Sequence, residues 1–220
     1  MTLARTDVVP NMLAEYRAFA ELLRSLSPDE WEAASRCEGW RVADVAAHVS
    51  GQLTDVVNLR LDGLGTPEVT QRQVDERRGR SAAELADEVD AGTKVAGDLG
   101  AAFDDEAWAG PVPGGGAGTL GFGIEALWFD TYLHADDIRA PLGRPSERSG
   151  LAASLSHIAQ VLTDQDYPPA VLRFDGYEDF PVSGGGGTVI DGDPLAFVLV
   201  STGRADPSTL GLDAAVNIYR

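Results

Sequence analysis

The sequence predicts a mainly α fold, with a four-helix bundle over residues 1–145 followed by a small α+β domain over residues 146–220. Three observations lead there. Four long stretches repeat apolar residues at helical spacing, and two helix starts carry capping boxes. Beyond Pro145 the texture shifts to one helix and short strand-like runs around a tetraglycine.

Taking the elements in order, Met12, Tyr16, Phe19 and Leu23 form one apolar stripe with Glu15, Arg17 and Glu21 among the polar positions, which predicts the first long helix. Ser27-Pro28-Asp29-Glu30 supplies an N-cap, a proline at the first helical position and the acid of a capping box, and so predicts a short helix carrying Trp31. Val42, Val45, Val49 and Val56 predict the second long helix, ending near Asp62-Gly63, with His48 inside it. Residues Thr66 to Gly79 are polar and read as a connecting loop. Ser81 and Glu84 form another capping box ahead of Leu85, Val89, Ala96, Leu99 and Phe103, the third long helix. Pro111 to Gly118 breaks regular structure, and Leu120, Ile124, Leu127, Trp128 and Leu133 mark the fourth. Four such helices predict a bundle. A helix from about Leu151 to Leu162 then precedes strand-like runs at Ala170–Phe174, Thr188–Ile190 and Leu195–Val200, with Gly184–Gly187 as a hairpin turn or flexible loop.

Composition narrows the function. The formal net charge of −18 disfavours contact with nucleic-acid phosphates, which depends on clustered Lys and Arg. No apolar run has the roughly 20 residues that a membrane helix needs, and the N-terminus shows no signal-peptide pattern, so cytoplasm is the expected compartment. A single cysteine, Cys37, excludes an internal disulfide and a thiolate-based zinc cluster, leaving histidine and carboxylate as metal ligands. Gly116-Ala-Gly118-Thr-Leu-Gly121 matches G-x-G-x-x-G, but prolines precede it where a dinucleotide fold needs a strand, so it reads as a loop entering a helix.

Asp130 and His134 stand i, i+4 on the fourth long helix and project from one face, where Leu127 and Ile138 point inward. Ionised groups in a bundle interior need compensation, and a shared cation would stabilise carboxylate and neutral imidazole together. His48 is the partner on another helix, because the remaining histidine, His157, falls outside the bundle. One carboxylate and two imidazoles suit Zn²⁺ best, with nickel, iron and manganese also compatible. The same spacing also occurs in surface pairs and in satisfied core hydrogen bonds, so it leaves both readings open.

Cys37-Glu-Gly-Trp40-Arg-Val-Ala-Asp44-Val-Ala-Ala-His48 resembles the C-x-G-W-x-V-x-D-V-x-x-H segment of the DinB-like, mycothiol-dependent maleylpyruvate isomerase-like family. Asp130-Thr-Tyr-Leu-His134-Ala-Asp-Asp137-Ile resembles its E-x-x-x-H-x-x-D-I/L segment, with Asp130 one methylene shorter than the usual Glu. The resemblance implies a DinB-like bundle joined to a small C-terminal domain, and His48, Asp130 and His134 as ligands of a divalent metal. It further implies a low-molecular-weight thiol, mycothiol, as cosubstrate and nucleophile toward an electrophilic small molecule. Addition, bond rotation and elimination would make the chain an isomerase, and a retained adduct would make it an S-transferase. Arg204, in Ser201-Thr-Gly-Arg204, resembles a Gly-Arg element of the C-terminal domain and is the candidate to stabilise enolate charge on the substrate. Two other functions stay open: a non-catalytic metal or small-ligand module, and a metal-dependent hydrolase. Cys37 is left between a structural and a thiol-pocket role, Trp40 and Trp128 between core and pocket, while Asp44 and Asp137 fit capping or support of the ligands.

Overall fold

The computed structural model describes residues 3–112 and 118–220. Ala4–Glu147 form one compact unit; Arg148–Arg220, with Leu3, form another. In the first unit the long helices are α1 (Arg5–Arg24), α3 (Val42–Val57), α5 (Ala82–Ala102) and α7 (Leu120–Arg139), with the short α2 (Pro28–Glu32), α4 (Pro67–Glu76) and α6 (Asp105–Ala109) between them. Helix α1 packs on α5 and α7, and α3 packs on the same two, which closes a four-helix bundle. The apolar stripe read from the first helix turns inward, with Tyr16, Phe19 and Leu23 fully buried.

The predicted loop over residues 66–79 is instead largely helix. Thr66 caps α4 by accepting the Val69 N–H, and Pro67 occupies its first turn. Only Gln73 and Val74 of α4 are buried, so the segment offers too few apolar residues to be read as a helix that faces the core. A glycine inside α3 makes room for it. A Cβ on Gly51 would come within 2.6 Å of Gln73 Cβ and 2.9 Å of an Arg77 guanidinium nitrogen.

The second unit contains α8 (Leu151–Asp164), a three-stranded sheet of β1 (Ala170–Leu172), β2 (Phe180–Val182) and β3 (Thr188–Ile190), and α9 (Pro194–Ser201). The sheet order is β2-β1-β3, with β1 antiparallel to β2 and parallel to β3. Gly184–Gly187 therefore link two strands that do not pair with each other and form no hairpin turn. All four carry positive φ, and a Cβ on Gly187 would collide with the Pro169 carbonyl oxygen.

Residues 195–200, expected as a strand, are helical. Asp193 caps α9 by accepting the Leu195 N–H, and Pro194 opens its first turn. A short run that is apolar on every side carries no period, so the cap decides. Of the G-x-G-x-x-G match, Gly116 and Ala117 lie outside the described residues. Thr119 caps α7 immediately after it, accepting the Phe122 N–H. Among the described residues no helix is long and apolar enough to cross a membrane.

Candidate metal centre

The residues that open α3 set up its first histidine. Asp44 accepts the Arg41 backbone N–H at 3.0 Å and caps the helix, and one turn later His48 is buried. On α7, Asp130 and His134 follow at helical spacing, and the two helices face each other across the bundle interior. His48 Nε2 lies 3.6 Å from Asp130 Oδ2, and His134 Nε2 lies 3.6 Å from Asp130 Oδ1. The imidazoles meet edge to face, with ring centroids 5.0 Å apart. One donor atom from each of the three residues falls within 4.8 Å of the other two.

Hydrogen bonds on the far side of each ring fix which nitrogen points inward. Gln73 Nε2 donates to Asp55 Oδ2 at 2.7 Å, and a carboxylate only accepts, so the amide orientation is settled. That leaves Gln73 Oε1 facing His48 Nδ1 at 2.9 Å. An amide oxygen also only accepts, so Nδ1 carries the proton and the Nε2 lone pair of His48 points at Asp130. Asp55 is fully buried and is held in turn by Arg72 at 2.7 Å and Arg60 at 2.5 Å.

His134 is oriented in the same way from its own helix. Its Nδ1 donates to Asp137 Oδ2 at 3.0 Å, which turns Nε2 toward Asp130. Asp137 also accepts the Cys37 thiol at 3.2 Å, and the Asp137 carbonyl accepts the Arg36 backbone N–H. Arg36 pairs with the neighbouring Asp136 at 2.7 Å. The Cys37–Trp40 segment is thereby docked on α7. Cys37 Sγ stands 3.8 Å from His134 Nδ1, and the Trp40 ring lies 5.7 Å from that of His48. Trp128 is buried in the core.

The donor set fits a divalent cation. Burial works against a protonated His134, yet the charge of Asp130 and the bonds to Asp137 and Cys37 outweigh it and push its pKa up to about 10. A field that holds a proton so firmly also favours a metal ion in its place. Tetrahedral zinc with bonds of roughly 2.0–2.1 Å sets its donors about 3.3 Å apart, close to the 3.6 Å seen from Asp130 to each imidazole. The shorter carboxylate of aspartate thus still stands between the two rings.

Arg204 belongs to the other compact unit, just past α9, where its Nη1 donates to the Thr202 carbonyl at 3.1 Å. His157 lies on α8, also in that unit. Sequence reasoning missed Gln73 and Asp55. Gln73 sits in the helix read as a loop, and nothing in its surroundings in sequence distinguishes it from Gln71 on the same helix.

Comparison with known proteins identifies the family. The family model described as the mycothiol maleylpyruvate isomerase N-terminal domain matches residues 12–139, more than half of the chain. Among solved structures, the mycothiol-dependent maleylpyruvate isomerase superposes with a TM-score of 0.66 at 16% identity, with 96% of each chain covered. A histidine-to-alanine mutant of the mycothiol-dependent maleylpyruvate isomerase gives 0.62 at 17% identity over the same share of each chain. At such identities the likeness concerns the fold. No curated protein matches the chain. The chain belongs to the mycothiol maleylpyruvate isomerase N-terminal domain family.

Proposed function

We propose that this chain is a metal- and thiol-dependent enzyme in which a low-molecular-weight thiol, mycothiol by family, adds to an electrophilic small molecule. One observation carries the reading: both imidazoles turn Nδ1 to acceptors outside the centre, so that both Nε2 atoms and Asp130 converge, and a metal ion would take the place of the proton that His134 Nε2 holds near neutral pH. A divalent ion held by His48, Asp130 and His134, with zinc the best match to the ligand types, would supply positive charge and open positions that bring the pKa of a coordinated thiol to near neutrality.

The chain's own residues prepare that chemistry. Gln73 and Asp137 keep the two rings in the Nδ1–H tautomer, and Asp130 balances part of the charge. Trp40 stands beside His48. Arg204 is proposed to hold a substrate carboxylate and the enolate charge that builds up as sulfur adds to the double bond. In the isomerase version the S–C bond forms as the C=C bond opens, the resulting single bond rotates, and elimination expels the thiol unchanged. In the transferase version the adduct is released and thiol is consumed.

The test is turnover of a cis-configured, electron-poor carboxylic acid, with cis-to-trans conversion and thiol consumption followed separately. Activity is expected to require metal, thiol and His134 together. Arg204→Ala is expected to weaken reaction with an anionic substrate at unchanged metal content. Turnover in metal-free protein, or full activity in His134→Ala, overturns the mechanism. Ester cleavage independent of thiol would assign the centre to hydrolysis, and bound metal without any turnover would make the chain a binding module.

A further inference from the structure

Toward the N-terminal end of α7 and the C-terminal end of α3 the helices leave an apolar cavity. His48 lies in the first half of α3, and Asp130 and His134 in the second half of α7. The cavity is lined by the opposite halves, by Leu53 and Val57 of α3 and by Ile124 and Leu127 of α7, with Met12 of α1 and Leu99 of α5 completing the wall. Its volume is about 130 Å³, and among the described residues every one that lines it is apolar or glycine. Protein interiors rarely leave a void larger than a water molecule, and a void without polar partners does not hold ordered water.

Two further features keep the space open. The nine-residue connection from Asn58 to Thr66 places Leu59, Leu61 and Leu64 on the lining, and Leu59 is 69% exposed. Leu61 and Leu64 are half-buried against the bundle, and Leu59 leaves apolar surface at the mouth. Gly123 lies inside α7, where glycine weakens a helix. A Cβ at Gly123 would meet only Val112 Cγ2, at an ordinary 3.5 Å, so crowding does not demand the glycine.

We infer that this cavity is a second ligand site, one helical turn along α7 from Asp130 at Leu127, which takes an apolar molecule the size of one aromatic ring or a short alkyl group. The volume agrees with the ligand: an apolar cavity of about 150 Å³ with comparable lining stays dry and binds benzene.

The chain has two methionines, Met1 and Met12, and Met12 lines the cavity. The full chain labelled with [methyl-¹³C]methionine is titrated with benzene. The expected result is a saturable ring-current shift of the Met12 methyl with Met1 unmoved, a rise in Tm, and binding of phenol at least tenfold weaker, because its hydroxyl would be desolvated without a partner. Ala96→Leu, which grows a lining side chain into the space, is expected to abolish both the shift and the rise in Tm. If that variant does not fold, Gly123→Ala replaces it, with at least threefold weaker binding expected. A Met12 methyl that does not move, or that moves without saturating, overturns the inference. So does benzene binding of equal strength in the filled variant.

Discussion

Replacing Gln73 by leucine tests how the proposed metal centre is held. Leucine keeps most of the side-chain volume and removes both polar contacts, the acceptor for His48 Nδ1–H and the donor to Asp55. A hydrogen bond to a charged group contributes about 1.5–3 kcal/mol and a neutral one about 1 kcal/mol. Part of this is regained by burying apolar surface, and Asp55 keeps Arg60 and Arg72. The net loss of stability is expected to be about 2–3 kcal/mol, a fall in Tm of roughly 5–10 °C for a chain of this size.

Metal affinity should fall by about 10–100-fold, the usual effect of removing the partner that orients a ligating imidazole. Without Gln73 Oε1 the His48 ring is free to rotate and to take the Nε2–H tautomer, which has no lone pair for the ion. Zinc competition against a chromogenic chelator reads the affinity, and urea unfolding of metal-free protein reads the stability. Gln71→Ala, an exposed change on the same helix, is the control and should alter neither. If Gln73→Leu binds zinc within twofold of wild type while His48→Ala loses it, the tautomer argument is wrong.

Two further outcomes follow from the same region. Gly51→Ala, which would gain about 1 kcal/mol in an isolated helix, should destabilise this protein and weaken metal binding, because the new methyl drives against Gln73 at 2.6 Å; thermal melts and the same competition assay check both. Glu88 accepts from Ser50 and from Arg77, and although burial pulls its carboxyl upward, these bonds hold it below its usual range. A folded-state pKa below the unfolded one gives stability that is fully present above the unfolded value near 4.3 and is lost as pH falls through the lower folded value. Urea midpoints followed down through that range should therefore fall less steeply in Glu88→Gln than in wild type.

The bundle and the Asp130–His134 pair were legible because a helix repeats its faces, while His48 was reached by elimination of His157 and by the family resemblance. Tyr16, Phe19 and Leu23 declare one buried stripe, and the i, i+4 spacing of Asp130 and His134 sets their side chains on one face whatever the tertiary fold. What supports His48 was not legible. Gln73 and Asp55 meet it from different elements, and Gln73 rides on a helix with too few apolar residues to stand out from a polar loop. Helix α9 was hidden for the opposite reason, being apolar on every side, so that only Asp193 and Pro194 ahead of it declare a helix.

The two histidines differ in how much of the fold each one needs. His134 and the aspartate that orients it lie three residues apart on α7, so their bond forms as soon as that helix forms. His48 depends on α4 lying against α3, which depends in turn on the missing Cβ of Gly51 and on the ion pairs of Arg60 and Arg72 with Asp55. One arm of the centre is therefore local and the other tertiary. Strain in α4 or in the connection after α3 reaches the centre through His48 alone and leaves the Asp130–His134 pair in place. A loosened bundle would keep two of its three donors, and the third is the one whose recovery reports that the bundle has closed.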